Sequence, residues 1–193
     1  MFKDLVLKNR TYRRFYQDER MSTETLKELV DLARHSSSGM NMQPLKYIIV
    51  NGEEKADKVF QYLKFAGYLK DWGGPIEGER PSAYIVMLHD TSLSKAIFWD
   101  HGIAATNILL GATEKGYGGV MVAAINKKEL AKELDLDEKF EIVMVLAMGK
   151  PKEEVVLYEI EAGEDIKYWR DENQVHHVPK RKLKDILVGV FEE

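Results

Sequence analysis

Leu26, Leu29, Val30 and Ala33 recur at helical spacing, which predicts an amphipathic helix over residues 22–35. Ser22 or Thr23 can cap it, and Glu24 falls in its first turn. A polar break, SSSGMNMQP, separates it from LKYIIVN (45–51), whose β-branched and aromatic residues predict a strand. Helical spacing resumes over residues 53–70 through Val59, Leu63, Ala66 and Tyr68. The segment DWGGPIEGERP (71–81) holds three glycines and two prolines and reads as a loop or lid, and SAYIVML (82–88) as a second strand. Between Lys95 and Lys115 the chain is apolar on most sides, predicting a long central helix buried over nearly all its surface. Its small residues, Gly102, Ala104, Ala105, Gly111 and Ala112, allow close approach by another helix or a partner chain. A short strand or extended loop is expected at 118–125 and a buried strand at 141–151, with a short amphipathic helix at KKELAKELDL between them. The chain end carries Leu183, Ile186, Leu187 and Val190 at the spacing of one helical face.

Helices and strands interleave without a strict βαβ rhythm, so the expected class is α+β, a mixed sheet flanked by helices. No repeat or flexible linker divides the chain, and residues 1–193 read as one domain. The net charge of −4 argues against general nucleic-acid or acidic-membrane binding, which needs a basic field. A basic patch here must be local and meet a small anion. The absence of cysteine excludes disulfides, thiolate metal sites and cysteine nucleophiles, and suits a reducing compartment. No run approaches the about 20 apolar residues of a membrane span, and the N-terminus lacks a signal-peptide core. The expectation is a soluble cytoplasmic protein with no membrane partner.

Two stretches break the acidic balance. NRTYRRF (9–15) crowds Arg10, Arg13 and Arg14 together, and VPKRKLK (178–184) forms a second cluster near the other end. Like charges this close repel unless water or an anion relieves them. Either both are solvated surface, or they meet around one phosphate, where each charge-assisted hydrogen bond contributes about 1.5–3 kcal/mol. A helix beginning near residue 180 would add its dipole. Conventional catalytic groups are missing. Ser36, Ser37 and Ser38 lack a nucleophile-elbow context, and the five histidines lack metal-ligand spacing. His176 and His177, beside Asp171 and Glu172, form the one cluster of note.

In order along the chain, these residues resemble the FMN-dependent nitroreductase family. NRTYRRF resembles its R-[ST]-x-R-x-F opening, and ARHSSSGMNMQPLKYIIV is similar to its A-P-S-x-x-N-x-Q-P stretch. GYGGVMVAAI, EIVMVLAMGKP and HHVPKRKLKDIL then resemble the family's flavin-ring segment, core strand and basic C-terminal element. The resemblance implies an intertwined homodimer with two flavins at its interface. It implies that Arg10, Thr11 and Arg13 hold the FMN phosphate and ribityl chain, joined by Lys180 and Arg181, with Gln43 beside the ribityl or pyrimidine part. Ser37, Ser38, Gly39 and Asn41 would reach the ring from the second subunit, and Met121, Ala123 and Ala124 would line its face and edge. No side chain is expected to be catalytic and no metal to bind, because flavin N5 would carry hydride from NADH or NADPH to a small-molecule acceptor. A lysine such as Lys64 or Lys70 would stand near N1 and O2, and loop 71–81 with Tyr168 and Trp169 would select the acceptor, unless the two aromatics only pack the dimer rim. Asn9 departs from a frequent basic residue, Ser37 from proline and Leu45 from an aromatic. The competing expectations are a flavin-binding protein of the same fold with another role, as a flavin reductase, a dehalogenase or a flavin store without turnover, and an anion-binding module without flavin.

Overall fold

The computed structural model describes residues 1–192. Helix α1 (Phe2–Lys8) leads through an extended segment to β1 (Phe15–Tyr16) and then to α2 (Thr23–Arg34). The α2 cap is Ser22, whose hydroxyl accepts from the Thr25 N–H at 3.0 Å. Strand β2 (Leu45–Val50), α3 (Glu53–Phe60), β3 (Ala83–Asp90), α4 (Asp100–Glu114), β4 (Gly118–Val122), α5 (Lys127–Glu133) and β5 (Phe140–Pro151) follow.

Strand β5 organises the main sheet. It lies between β3 and β4, and its C-terminal end also pairs with β1, Phe15 opposite Pro151. Strand β2 flanks β3 at the edge. All these pairings are antiparallel. Strand β3 is buried along its whole length because helices cover both faces of the sheet. Ala83, Ile85 and Met87 pack with Leu26, Leu29 and Ile108 of α2 and α4, while Tyr84, Val86 and Leu88 pack with Val59 and Leu130 of α3 and α5. The two-residue alternation of a strand distributes them so. The small residues of α4 do admit a neighbour: a Cβ on Gly111 would come within 2.3 Å of Leu32 in α2.

A second sheet follows, with β6 (Val155–Ile160) parallel to β8 (His176–Arg181) and β7 (Trp169–Arg170) antiparallel to β8. A single turn, α6 (Leu183–Ile186), comes after it.

Three expected elements are corrected. The helix of residues 53–70 stops at Phe60, because Leu63 bridges to Ile125 and Tyr62 accepts from the Asn126 N–H. The helix of residues 95–115 begins only at Asp100, since Phe98 takes a left-handed φ of 40° that interrupts it. Within the single chain α4 is covered on one side and leaves Ile103 exposed. Of the stretch expected as a short strand or extended loop, residues Gly118–Val122 form the strand β4. At the chain end, residues 176–181 form a strand and only one helical turn follows, so Lys180 and Arg181 sit on β8 and gain nothing from a helix dipole.

Loop 71–81 is anchored by Glu79, whose carboxylate receives two bonds from Arg14, 2.6 Å from Nε and 2.7 Å from Nη2, and lies 3.2 Å from Lys152 Nζ. The Arg14 hydrogen bonds and the nearby Lys152 ammonium hold the Glu79 carboxyl down at about 2, against an ordinary 4.5. A depressed carboxyl stabilises the fold above its unfolded value and loses that contribution as pH falls through its folded one. For this largely buried pair the contribution is about 2–3 kcal/mol, lost between pH 4.5 and 2. Glu79→Gln is expected to lower stability at neutral pH and to flatten the acid limb in denaturant melts across that window. An unchanged acid limb would refute the assignment.

Candidate functional site

The segment carrying the first basic cluster is fixed by its backbone. Asn9 ends α1 in an extended conformation, Thr11 forms a parallel bridge with Gly119, and the Tyr12 N–H donates to Gly119 O at 3.1 Å. The Arg13 and Arg14 N–H groups donate to the carboxylate of Glu153, the latter at 3.3 Å. Phe15 is fully buried against Gly149. Tethered on both sides, the segment turns Arg10 and Arg13 one way and Arg14 toward Glu79.

Strand β8 brings the other chain end to the same place. By strand alternation His176, Val178 and Lys180 share a face, and all three line a cavity of about 380 Å³ together with Arg10, Thr11 and Arg13. Asn9, Val155, Leu157 and Tyr168 complete its walls. The cavity therefore holds three cationic side chains and no carboxylate among its lining residues. Arg10 Nη2 donates to Val6 O at 2.7 Å, while its Nε is buried without a partner among the described residues. Burial holds the Arg10 and Arg13 guanidinium groups below their ordinary value, for Arg13 against the opposing pull of Tyr168 and Glu153. Arg13 lies over the Tyr168 ring, 4.6 Å from its centroid, with Nη1 3.1 Å from His176 Nε2 and 3.4 Å from Thr11 O. The next residue on β8, Arg181, is exposed and does not line the cavity.

The loop of residues 36–43 lies elsewhere. Ser38 Oγ donates to Asp100 Oδ2 at 2.5 Å and accepts from the Gln43 N–H at 2.8 Å, while the Gly39 N–H donates to Asp100 Oδ1 at 2.9 Å. The loop is tightly wound: Met40, Asn41 and Gln43 all have positive φ near 50°. A Cβ on Gly39 would come within 2.6 Å of the Phe98 ring. Ser37, Ser38 and Gln43 border a second cavity of about 430 Å³ between α2, β2 and the start of α4. No residue lines both cavities. Tyr47 borders the second one, its phenol pushed up to about 12 by burial and then by Asp100.

The third expected group extends from the first cavity along β4. Thr11 bridges to Gly119, and two residues further on is Met121, partly exposed, with Ala123 and Ala124 exposed beyond the strand. Lys64 is adjacent, its N–H donating to Ala124 O at 3.0 Å. A single chain thus joins Arg10, Thr11, Arg13 and Lys180 in one cavity, with Met121 on the strand that Thr11 bridges and Ala123 and Ala124 just past its end, and keeps the loop of Ser37 to Gln43 apart.

Sequence reasoning did not find Glu153, the carboxylate under the arginine segment, or His176 in the cavity wall. Glu153 is 140 residues from Arg13 and stands among ordinary surface charges in the sequence. His176 did leave a trace, since positions 176, 178 and 180 share a face once this stretch is read as a strand. The two aromatics expected at an acceptor are engaged, Tyr168 by Arg13 and Trp169 by His177, whose ring stacks at 4.3 Å and bonds Asp171 at 2.9 Å. Among the described residues no group of three or more His, Asp or Glu side chains is placed to hold a metal ion, and no helix is long and apolar enough to cross a membrane.

A helix-covered antiparallel sheet with a carboxylate-free cationic cavity built from both chain ends defines the α+β class of the protein and the character of its site. The sequence model of the Nitroreductase family matches residues 6–70 and 79–150, and the chain belongs to that family of oxidoreductases. It is 30% identical over 154 residues, 76% of this chain and 83% of the relative, to an Archaeoglobus fulgidus protein provisionally named NADH dehydrogenase/NAD(P)H nitroreductase. It is 28% identical to the iodotyrosine deiodinase of Thermotoga neapolitana, over 78% of this chain and 89% of that one. The fold matches the structure of an FMN-dependent nitroreductase from Clostridium difficile R20291 with a TM-score of 0.64 at 21% identity, covering 88% of this chain and 92% of the other.

Proposed function

We propose that the protein is an FMN-dependent NAD(P)H oxidoreductase acting on nitroaromatic, quinone or related acceptors. The observation that carries this reading is the cavity in which Arg10, Thr11, Arg13 and Lys180 converge. The residues present fit a phosphate: three cations, a hydroxyl, no opposing carboxylate and a buried, unpartnered Arg10 Nε. The FMN-dependent nitroreductase of the same fold and the NAD(P)H named for the Archaeoglobus relative support the choice of cofactor and donor.

In this reading Arg10, Arg13 and Lys180 bind the phosphate, and the Thr11 hydroxyl fixes the start of the ribityl chain. Met121 on β4, with Ala123 and Ala124 just past its end, would border the ring, with Lys64 beside them as the cation for its pyrimidine edge. FMN held there would supply the hydride transfer between NADH or NADPH and the acceptor. The protein contributes position and field.

A second copy of the chain completes the site. The C-terminal tail exposes Leu183, Ile186, Leu187, Val190 and Phe191, and α4 exposes Ile103, apolar area that a lone soluble chain seldom leaves open. In the homodimer Ser37, Ser38, Gly39 and Asn41, already wound and braced by Asp100, would approach the ring from the other subunit, and Gln43 the ribityl or pyrimidine part. A monomer mass in light scattering would remove this part of the reading.

The purified protein is expected to be yellow, or to become so on adding FMN, to bleach with NADH or NADPH, and to recover its colour with menadione. A colourless preparation that takes up no FMN would overturn the assignment. A yellow one that never bleaches would leave a flavin carrier in place of an enzyme.

A further inference from the structure

The family match ends at residue 150, so nothing in it speaks to the second sheet, yet that sheet supplies one whole wall of the anion cavity. At the centre of the wall is His176. It is fully buried, and its Nε2 is 3.1 Å from Arg13 Nη1. An arginine can only donate, so this short contact makes Nε2 the acceptor and leaves the imidazole proton on Nδ1, which is buried and has no partner among the described residues. The Tyr168 ring lies against both groups, its centroid 5.1 Å from the His176 ring centroid and 4.6 Å from the guanidinium carbon. Arg13 therefore has its plane set by Tyr168 and one terminal nitrogen engaged by His176, leaving Nη2 free for an anion.

We propose that His176 is a positioning residue for phosphate: its Nε2 accepts from Arg13 Nη1 and holds that guanidinium pre-aimed into the cavity at the phosphate end of the cofactor. The inference rests on the FMN reading given above. The surroundings agree with an unprotonated ring. Burial, and then the charges of Arg13, Arg170 and His177, push His176 down to about 4, so it stays an acceptor across the neutral range. The groups facing it are Arg13 from the N-terminal segment, Tyr168 and Arg170 from β7 and its approach, and His177 from its own strand, with Glu153 behind Arg13 and Lys180 further along the cavity wall. Glu153 receives the Arg13 and Arg14 N–H groups and Arg170 Nη2 at 2.8 Å and makes no hydrogen bond to the Arg13 side chain.

The test separates aiming from mere packing by comparing FMN with riboflavin, which lacks the phosphate. His176→Phe keeps a ring but loses the acceptor, and His176→Gln can present a carbonyl oxygen close to the position of Nε2. With His176→Phe the Kd for FMN is expected to rise about tenfold, the size of one charge-assisted hydrogen bond made poorly. The Kd for riboflavin should stay within about twofold, and His176→Gln should recover most of the FMN affinity. If His176→Phe does not fold, His176→Asn replaces it, since its short amide cannot reach Arg13, and the same loss is expected. Equal FMN affinity in wild type and all folded variants overturns the inference while leaving the FMN reading intact. Equal weakening for FMN and riboflavin also overturns it, because the residue then only supports the wall. A wild-type protein that binds neither flavin overturns the FMN reading itself.

Discussion

Phe15→Ala is expected to destabilise the protein by about 3–5 kcal/mol, the range for emptying a fully buried aromatic site. The ring is wholly buried and fills the space left by Gly149, where a Cβ would come within 3.1 Å of it. Its backbone is held as well, N–H to Glu79 O at 3.0 Å and paired across to Pro151 of β5. Little around this site can collapse into the void, because β5 is fixed by strands on both sides. The residue lies two positions after Arg13, so its loss should also loosen the basic segment and weaken FMN binding. Urea denaturation and flavin titration on the same variant read both effects. A loss below about 1 kcal/mol would show that the site can collapse after all.

Glu153→Ala should be as severe, for a different reason. The side chain is completely buried and receives the N–H groups of Arg13 and Arg14 and the guanidinium of Arg170, itself almost wholly buried. Removing the carboxylate strands a buried cation and two backbone donors, which costs about 3–5 kcal/mol where one partner of a buried pair is deleted. Arg170 also lies over Trp72, 4.7 Å from its ring centroid, so the same carboxylate links the second sheet to the 71–81 loop. The expected result is a fall in the urea midpoint together with a shift in tryptophan emission. Glu153→Gln, which keeps one acceptor oxygen, should lose less. A variant that melts like the wild type would mean that water replaces the carboxylate at no cost.

What the sequence made legible follows from how local each signal is. Helix α2 was readable because its cap and its buried stripe, Leu26, Leu29 and Ala33, lie within one stretch of twelve residues. Strands β3 and β5 were readable because burial on both faces leaves a continuous apolar run. Tertiary contacts overrode periodicity elsewhere. Residues 63–70 kept helical spacing but were drawn to the end of β4 by the Leu63–Ile125 bridge, and the Phe98 turn cut α4 short. The last stretch read as a helix because Leu183, Ile186 and Leu187 follow closely, yet pairing with β6 claims residues 176–181. At the site, the arginines and Lys180 showed themselves as charge. Glu153 and His176 did not, since their meaning lies in pairings 140 and 163 residues apart.

The position of β5 sets a timetable for biosynthesis. Its partners β1, β3 and β4 all precede it, so the main sheet cannot close until residues 140–151 have left the ribosome. Pairings that span more than a hundred residues, such as Phe15 with Pro151, carry a high loop-closure cost and are among the slowest to form. Until then the apolar flanks of β3 stay open to solvent and to other nascent chains. A chain truncated shortly before residue 140 should therefore be a client for chaperones, whereas one released after residue 151 can bury its core.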